Sequence, residues 1–86
     1  MIYFVKANNK IKIGCTERPI KRLQELQTAN HDKFIILYVI KNVPKSFEKF
    51  LHSICGRFHI RGEWFNIDVI EHLLNHPWYN QHMTTL

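Results

Sequence analysis

The hydrophobic pattern of the N-terminal residues predicts a β-hairpin. Residues 2–6 and 10–14 alternate in side-chain character with the period of two that strands have. Between them, Ala7-Asn8-Asn9 predicts a tight turn, because asparagine tolerates the left-handed backbone that such turns need. If Ile11 and Ile13 face the core, Tyr3 and Lys12 share the opposite face of the hairpin.

The pattern then changes to helical spacing and back. Pro19 suits the first turn of a helix that spans about residues 18–28. Residues 34–40 form a continuous β-branched and aromatic run. It predicts a strand covered on both faces, although so short a run also fits a buried helix segment. Asn66 is expected to cap a final helix that ends near Pro77.

A second helix is expected to open at Pro44 and to weaken at Gly56. Its apolar stripe is Phe47, Phe50, Leu51, Ile54 and Phe58. Three other side chains of this helix lie about 110° from the centre of that stripe, at the boundary of core and solvent: Glu48, His52 and Cys55.

The element order ββαβαα predicts an α+β fold with a small three-stranded antiparallel sheet flanked by helices. Residues 61–65 are expected to form a turn with aromatic anchors. Residues 1–77 are expected to form one domain, since 86 residues leave no room for a second core. Residues 78–86 are expected to be a C-terminal tail, for which the pattern predicts no element.

Charge is distributed unevenly. All twelve Lys and Arg lie between Lys6 and Arg61, together with four acids, so residues 1–62 carry a formal +8. A basic segment of this kind favours a polyanionic partner such as DNA. Five basic residues are candidates for DNA contacts: Lys10, Arg18, Lys21, Arg57 and Arg61.

The two cysteines, Cys15 and Cys55, do not resemble a disulfide framework. With no signal-peptide pattern and no run of about 18 apolar residues, the chain is expected to be intracellular, cytoplasmic or nuclear, with no membrane partner. A zinc site is an alternative use of Cys55, because His52 and His59 lie three and four residues away and Cys15 would be a fourth ligand.

Five residues carry candidate catalytic chemistry. The Lys12 ammonium is expected to lower the pKa of the neighbouring Tyr3 phenol, which makes the phenol a general base. Arg22 is a candidate for stabilising charge on a phosphoryl group. Glu48 is placed to hold a metal, with His52 beside it as a proton-handling group. Each of these residues also fits an ordinary structural or surface role.

Taken together, these residues resemble the GIY-YIG endonuclease family. Met1-Ile2-Tyr3 stands at the GIY position and Lys12-Ile13-Gly14 at the YIG position. Arg22 and Glu48 stand on successive predicted helices, where the family has its arginine and its metal-binding glutamate.

Three strings are similar to the small branch found often in phages and viruses: IKIGCTERPIKRLQELQTAN, FEKFLH and GEWF. The resemblance covers residues 1–67. Two letters depart from the family pattern. Met1 replaces the glycine of GIY, and Lys12 replaces the tyrosine of YIG, as in some restriction-enzyme members. Lys12 either tunes Tyr3 or marks a weakened or lost activity.

The resemblance implies a divalent-metal-dependent DNA endonuclease. Tyr3 would take a proton from the attacking water, Glu48 would hold one Mg²⁺ or Mn²⁺ ion, and Arg22 would stabilise the transition state. Because the sequence predicts no separate DNA-reading domain, three hypotheses stay open: a nuclease of low sequence selectivity, one that reads a DNA structure, or one directed by a recruiting protein or a homodimer mate. The alternatives are a catalytically inactive DNA-binding module on the same fold and a structural or protein-interaction domain.

Overall fold

A computed structural model describes residues 1–85 and shows an α+β fold built on one antiparallel sheet. The predicted fold class is confirmed. Five strands form the sheet: β1 (Ile2–Ala7), β2 (Lys10–Cys15), β3 (Phe34–Ile40), β4 (His59–Arg61) and β5 (Trp64–Asn66). The helices are α1 (Pro19–Thr28), α2 (Ser46–Ile54), α3 (Asp68–Leu74) and α4 (Pro77–His82), with a 3₁₀ turn at Gly56–Phe58.

The strand order across the sheet is β3-β1-β2-β5-β4, so the predicted count of three strands is wrong. The two strands that the pattern misses, β4 and β5, have three residues each. Segments this short cannot show an alternation. The predicted turn within residues 61–65 does exist, at Gly62 and Glu63, and Gly62 has the left-handed φ of +56° that glycine permits.

The N-terminal predictions are confirmed. The hairpin of β1 and β2 pairs Ile2 with Cys15 and Ala7 with Lys10, and Asn8 takes the left-handed conformation at φ +57°. The first helix begins at Pro19, whose missing N–H costs nothing in the first turn. Asn66 accepts a hydrogen bond from the Asp68 amide at 2.9 Å, where α3 begins.

Both faces of the sheet are covered. On one face Ile2, Phe4, Ile11 and Ile13 pack in the main core, which α2, α3 and α4 close. The other face carries a second cluster that Leu23 and Leu26 of α1 cover: Tyr3, Val5, Ala7, Phe34 and Val39. Tyr3 and Lys12 do share this second face, as predicted, but it is not a solvent face.

The apolar stripe predicted for α2 is wrong in its centre. Leu51 and Cys55 are fully buried, whereas Phe50 is 56% and Ile54 39% exposed. The helix ends at Ile54, so Phe58 belongs to the following 3₁₀ turn. The side of α2 that faces the core is therefore the side that carries Leu51 and Cys55, and not the side that carries Phe50 and Ile54. This rotation brings Glu48 and His52 against the sheet.

The segment after Pro77 is structured. Helix α4 places Tyr79 and then Met83 in the main core, although the pattern predicts no element there. Beyond the helix, the Thr84 amide donates to Val39 of the edge strand β3, and the Val39 amide donates back, at 2.9 and 2.8 Å. Of the predicted tail, Leu86 lies outside the described residues. No helix within residues 1–85 is long and apolar enough to cross a membrane.

Candidate active site

The site forms at the point where the ladder between β2 and β5 ends. Lys12 is paired with Trp64, and the next amide, that of Ile13, donates to the Glu63 carbonyl at 2.9 Å. The Ile13 carbonyl has no strand partner on this side. It accepts a hydrogen bond from the His52 Nε2–H of α2 at 3.0 Å. The His52 side chain thus takes the place of a strand partner for Ile13 and joins α2 to the sheet.

Glu48 lies one helical turn before His52, with 3.8 Å between Glu48 Oε1 and His52 Nε2. Its side chain is 20% exposed. It borders an open cleft of about 490 Å³ whose other lining residues are Lys45, Ser46, Lys49 and His52. The His52 proton on Nε2 is committed to the Ile13 carbonyl, so this residue orients the helix beside Glu48. Its predicted proton-handling role stays a prediction.

The Glu48 carboxyl has a pKa raised to about 7. Burial is the largest cause, and a hydrogen bond and charge repulsion from the Glu63 carboxyl add to it, while Lys45 and Lys12 oppose it. Two carboxyl groups within hydrogen-bonding reach of each other favour sharing a proton or binding a cation. The pair is therefore the part of the site with the chemistry of a divalent-cation ligand.

Glu63 is the site residue that sequence analysis misses. It stands in the turn between β4 and β5, and its carboxylate pairs with Lys12 Nζ at 3.4 Å. The sequence holds one signal for it, since it belongs to the GEWF string that carries part of the resemblance. Its place next to Glu48 follows from the pairing of β5 with β2, which the pattern does not reveal.

Tyr3 stands opposite Gly14 in the hairpin and is 2% exposed. Its ring lies over Gly14, where a Cβ would overlap the phenol oxygen and Cζ and would come within 2.8 Å of Cε2. The residue directly opposite Lys12 is Val5. Gly14 therefore provides the space that the phenol occupies.

The predicted lowering of the Tyr3 pKa by Lys12 is wrong. The pKa of the phenol is raised, mainly by burial, and the charges of Glu63 and Glu48 also raise it. Arg22 opposes the shift as a hydrogen-bond donor and a nearby cation. Lys12 is not among the groups that shift the pKa of Tyr3. In the metal-free protein the phenol is thus a weaker acid than free tyrosine.

Arg22 projects from α1 with 42% of its side chain exposed, and its Nη1 donates to Glu25 at 3.3 Å. Its guanidinium also lies close enough to the Tyr3 phenol to lower the pKa of that group. Arg18 and Lys21 line the same shallow depression of about 280 Å³ as Arg22. Two of the predicted DNA-contacting residues are thus next to the candidate site.

The other three predicted DNA contacts lie on β2, the 3₁₀ turn and β4. Lys10 Nζ lies 5.1 Å from the centroid of the Trp64 ring, one position along the same strand face from Lys12. Arg57 lies over Phe58, at 4.9 Å from the ring centroid. Arg61 is exposed on the edge strand β4. No ion pair or hydrogen bond within residues 1–85 joins Arg57 or Arg61 to Glu48.

The residues of the zinc alternative are not assembled into a site. Cys55 is fully buried in the core, where burial raises the pKa of its thiol to about 11. His59 Nε2 is hydrogen-bonded to the Gly62 carbonyl at 2.8 Å, and His52 to Ile13. Across residues 1–85, no three His, Cys, Asp or Glu side chains are grouped to hold a metal. The carboxyl pair remains the candidate for a cation.

The family of the chain follows from a match to a model of the T5orf172 domain, which covers residues 1–76. The chain belongs to the T5orf172 family. All the site residues described above lie within the matched part of this T5orf172 domain. A comparison with curated proteins and another with solved structures found no match. The T5orf172 domain is a phage-type domain associated with nuclease-type proteins, which agrees with a role in binding or cutting DNA.

Proposed function

We propose that this T5orf172 domain is a divalent-metal-dependent DNA endonuclease of the GIY-YIG type. The observation that supports this is the convergence of Tyr3, Arg22 and Glu48 on the Lys12–Gly14 segment of β2. A phenol, a guanidinium and a carboxylate are the three groups that the proposed hydrolysis needs. They come from three separate elements, and the family match includes all of them.

A magnesium or manganese ion fits the donor set of the site. Mg²⁺ prefers oxygen ligands and is commonly bound through one or two carboxylates together with substrate phosphates and water. Glu48 supplies such a carboxylate, and the Glu63 carboxyl is close enough to Glu48 to share a hydrogen bond with it. When bound, the ion would act as a Lewis acid on the scissile phosphate.

Arg22 and Tyr3 have the other two roles in the proposed hydrolysis. Arg22 is a partly exposed cation that acts on the phenol, and it would bind the phosphoryl oxygens as their charge grows. Tyr3, once ionised to the phenolate, would accept a proton from the attacking water at its oxygen. The charges of Glu48 and Glu63 contribute to the raised pKa of Tyr3, so a cation held by these carboxylates would offset their contribution.

Nicking of supercoiled plasmid and of branched DNA tests the proposal. We expect cleavage with Mg²⁺ or Mn²⁺ and none after chelation of the metal with EDTA. Tyr3→Phe should lower the rate by about 10²-fold or more, since general base catalysis contributes roughly that much. Arg22→Ala should lower it as well, and Arg22→Lys should restore only part, because lysine lacks the planar fork of donors.

Tyr38→Phe is the matched control for Tyr3→Phe, because Tyr38 is a partly buried tyrosine of the edge strand β3 whose side chain packs on the main core. It should cleave at the wild-type rate. A Tyr3→Phe protein that cleaves as fast as Tyr38→Phe would refute the general base. Cleavage that persists in EDTA would refute the metal requirement.

A catalytically inactive DNA-binding module is the second candidate, and the raised pKa of Tyr3 favours it. A phenol that keeps its proton near neutral pH supplies little phenolate to act as a base. Wild-type protein that binds DNA and cleaves neither substrate with either metal would identify this function.

DNA binding through the phosphate backbone predicts a strong salt dependence. With about four phosphate contacts, the affinity should fall about 10²-fold between about 50 and 200 mM salt, as counterion release requires. Arg18→Gln should reduce the logarithmic slope by about one. Fluorescence anisotropy with labelled duplex DNA measures both.

Lys6→Gln is the control for Arg18→Gln. Lys6 borders a cleft that also contains Asp68 and Glu71, so its charge faces acids. Its removal should leave the slope unchanged. An affinity that is constant over the salt range would exclude binding through phosphates.

A further inference from the structure

Glu63 is fixed at both its backbone and its carboxylate. Its carbonyl accepts a hydrogen bond from the Ile13 amide at 2.9 Å, which continues the ladder of β2 and β5 by one bond. Its carboxylate pairs with Lys12 Nζ at 3.4 Å, and the two side chains are 35% and 13% exposed. An ion pair on a backbone held in this way loses less entropy than one between two mobile surface side chains.

Lys12 is also in contact with Trp64. Lys12 and Trp64 are partners in the register of β2 and β5, and Lys12 Nζ lies 5.4 Å from the centroid of the indole ring. Lys10 has a similar distance of 5.1 Å to the same ring. Lys10 is exposed, however, and has no ion-pair partner within residues 1–85. Glu63 is therefore what distinguishes the environments of these two lysines.

The position of the Lys12 ammonium matters because the site holds two carboxylates. Glu48 and Glu63 lie close enough together to repel each other, and Lys12 acts on Glu48 with the opposite sign. A phosphodiester approaching two carboxylates alone would meet net repulsion. The Lys12 ammonium, which pairs with Glu63 at 3.4 Å, offsets that repulsion.

We propose that Glu63 is a positioning residue of the site, which holds the Lys12 ammonium beside the Glu48 carboxylate so that a DNA phosphate can enter. The position of the ammonium is inferred from the ion pair between Lys12 and Glu63. Its effect on cleavage rests on the proposed nuclease function. It gives Lys12 a role that replaces the tuning of Tyr3. It also accounts for a glutamate in a turn of an otherwise basic surface.

The position of the ammonium can be tested in protein without DNA or metal. In NMR spectra of ¹⁵N-labelled protein, a lysine ammonium gives a signal when an ion pair holds it and its protons exchange slowly with water. We expect one such signal to be absent in Lys12→Met and present in Lys10→Met. It should be lost or strongly broadened in Glu63→Gln. An unchanged signal in Glu63→Gln would overturn the proposal, whether or not the protein cleaves DNA.

A double-mutant cycle tests the consequence for cleavage. Glu63→Gln should lower kcat/KM by about 10-fold in the wild-type background and by less than about 2-fold in the Lys12→Met background, because coupled residues are not additive. Glu63→Asp, which keeps the charge on a shorter side chain, should retain more activity than Glu63→Gln. In the Lys10→Met background the loss should equal that in wild type.

Equal losses in the Lys12→Met and wild-type backgrounds would overturn the proposal, since Glu63 would then act without Lys12. Thermal unfolding of each variant separates this result from a general loss of folding, which would lower activity equally in every background. If the wild type cleaves no substrate, the proposed function fails. The ammonium signal in Glu63→Gln still decides the positioning role.

Discussion

Replacing Glu48 with glutamine is expected to remove DNA cleavage and, at the same time, to stabilise the metal-free protein. Cleavage should fall about 10³-fold, because a metal Lewis acid contributes several kcal/mol to the transition state and about 1.4 kcal/mol corresponds to a factor of ten. Glutamine has almost the shape of glutamate but lacks its charge. The nicking assay measures the loss.

The expected gain in stability follows from the raised pKa of Glu48. The pKa rises from 4.5 to about 7 on folding, so the folded state holds this proton more tightly than the unfolded state. The free energy of unfolding is therefore highest where Glu48 is protonated, and it falls as the pH rises from about 4.5 to about 7. Above that range the ionised carboxylate destabilises the fold.

Urea denaturation at pH 5 and pH 8 in EDTA measures this effect. At pH 8, Glu48→Gln should exceed the wild type by about 1 to 3 kcal/mol in the free energy of unfolding, since one pKa unit corresponds to about 1.4 kcal/mol. At pH 5 the difference should be small. Glutamine can also donate a hydrogen bond to Glu63, which removes the repulsion between the two carboxylates.

Glu71→Gln is the matched control for both measurements. Glu71 is an exposed residue of α3, and its replacement also removes one negative charge. It should leave cleavage unchanged and the free energy of unfolding within about 0.5 kcal/mol of the wild type at both pH values. A Glu48→Gln protein that cleaves normally, or that is less stable than wild type at pH 8, would contradict the assignment of Glu48.

The parts of the fold that can be predicted from the sequence are those that local patterns determine. The hairpin and α1 follow from alternation, from the asparagine turn and from Pro19, all within a few residues. Strands β4 and β5 are too short for a period, and their pairing depends on β2, about fifty residues earlier in the chain. The pairing of Thr84 with Val39 is likewise a tertiary contact without a local signal.

The candidate site divides in the same way. Tyr3, Arg22 and Glu48 can be selected because residue type and order along the chain resemble a family motif. The direction of the Tyr3 pKa shift cannot be predicted from the sequence. Alternation shows that Tyr3 and Lys12 share a face, but it does not show that α1 buries that face. The rotation of α2 about its axis is also hidden, because Phe50 and Ile54 are apolar yet largely exposed.

Alanine at position 14 is the second change with a large expected effect. A Cβ there would overlap the phenol of Tyr3, and the phenol cannot withdraw freely because the ring is buried with Val5, Phe34 and Val39. Overpacking a core usually costs about 1 to 3 kcal/mol. We expect Gly14→Ala to lower the free energy of unfolding by about that amount, and to lower cleavage as the phenol is displaced from Arg22. Urea denaturation and the nicking assay measure the two effects.

Gly56→Ala separates the steric effect from the general effect of replacing a glycine. No atom lies within 4 Å of a Cβ built at Gly56, and its φ is not positive. That variant should be as stable as the wild type or more stable, by up to about 1 kcal/mol, because alanine restricts the unfolded chain. In a Tyr3→Leu background Gly14→Ala should cost less than it does in wild type, because the overlapping ring is gone. Equal stability of Gly14→Ala and Gly56→Ala would mean that the phenol does not occupy the space above Gly14, and the geometry on which the site depends would then be wrong.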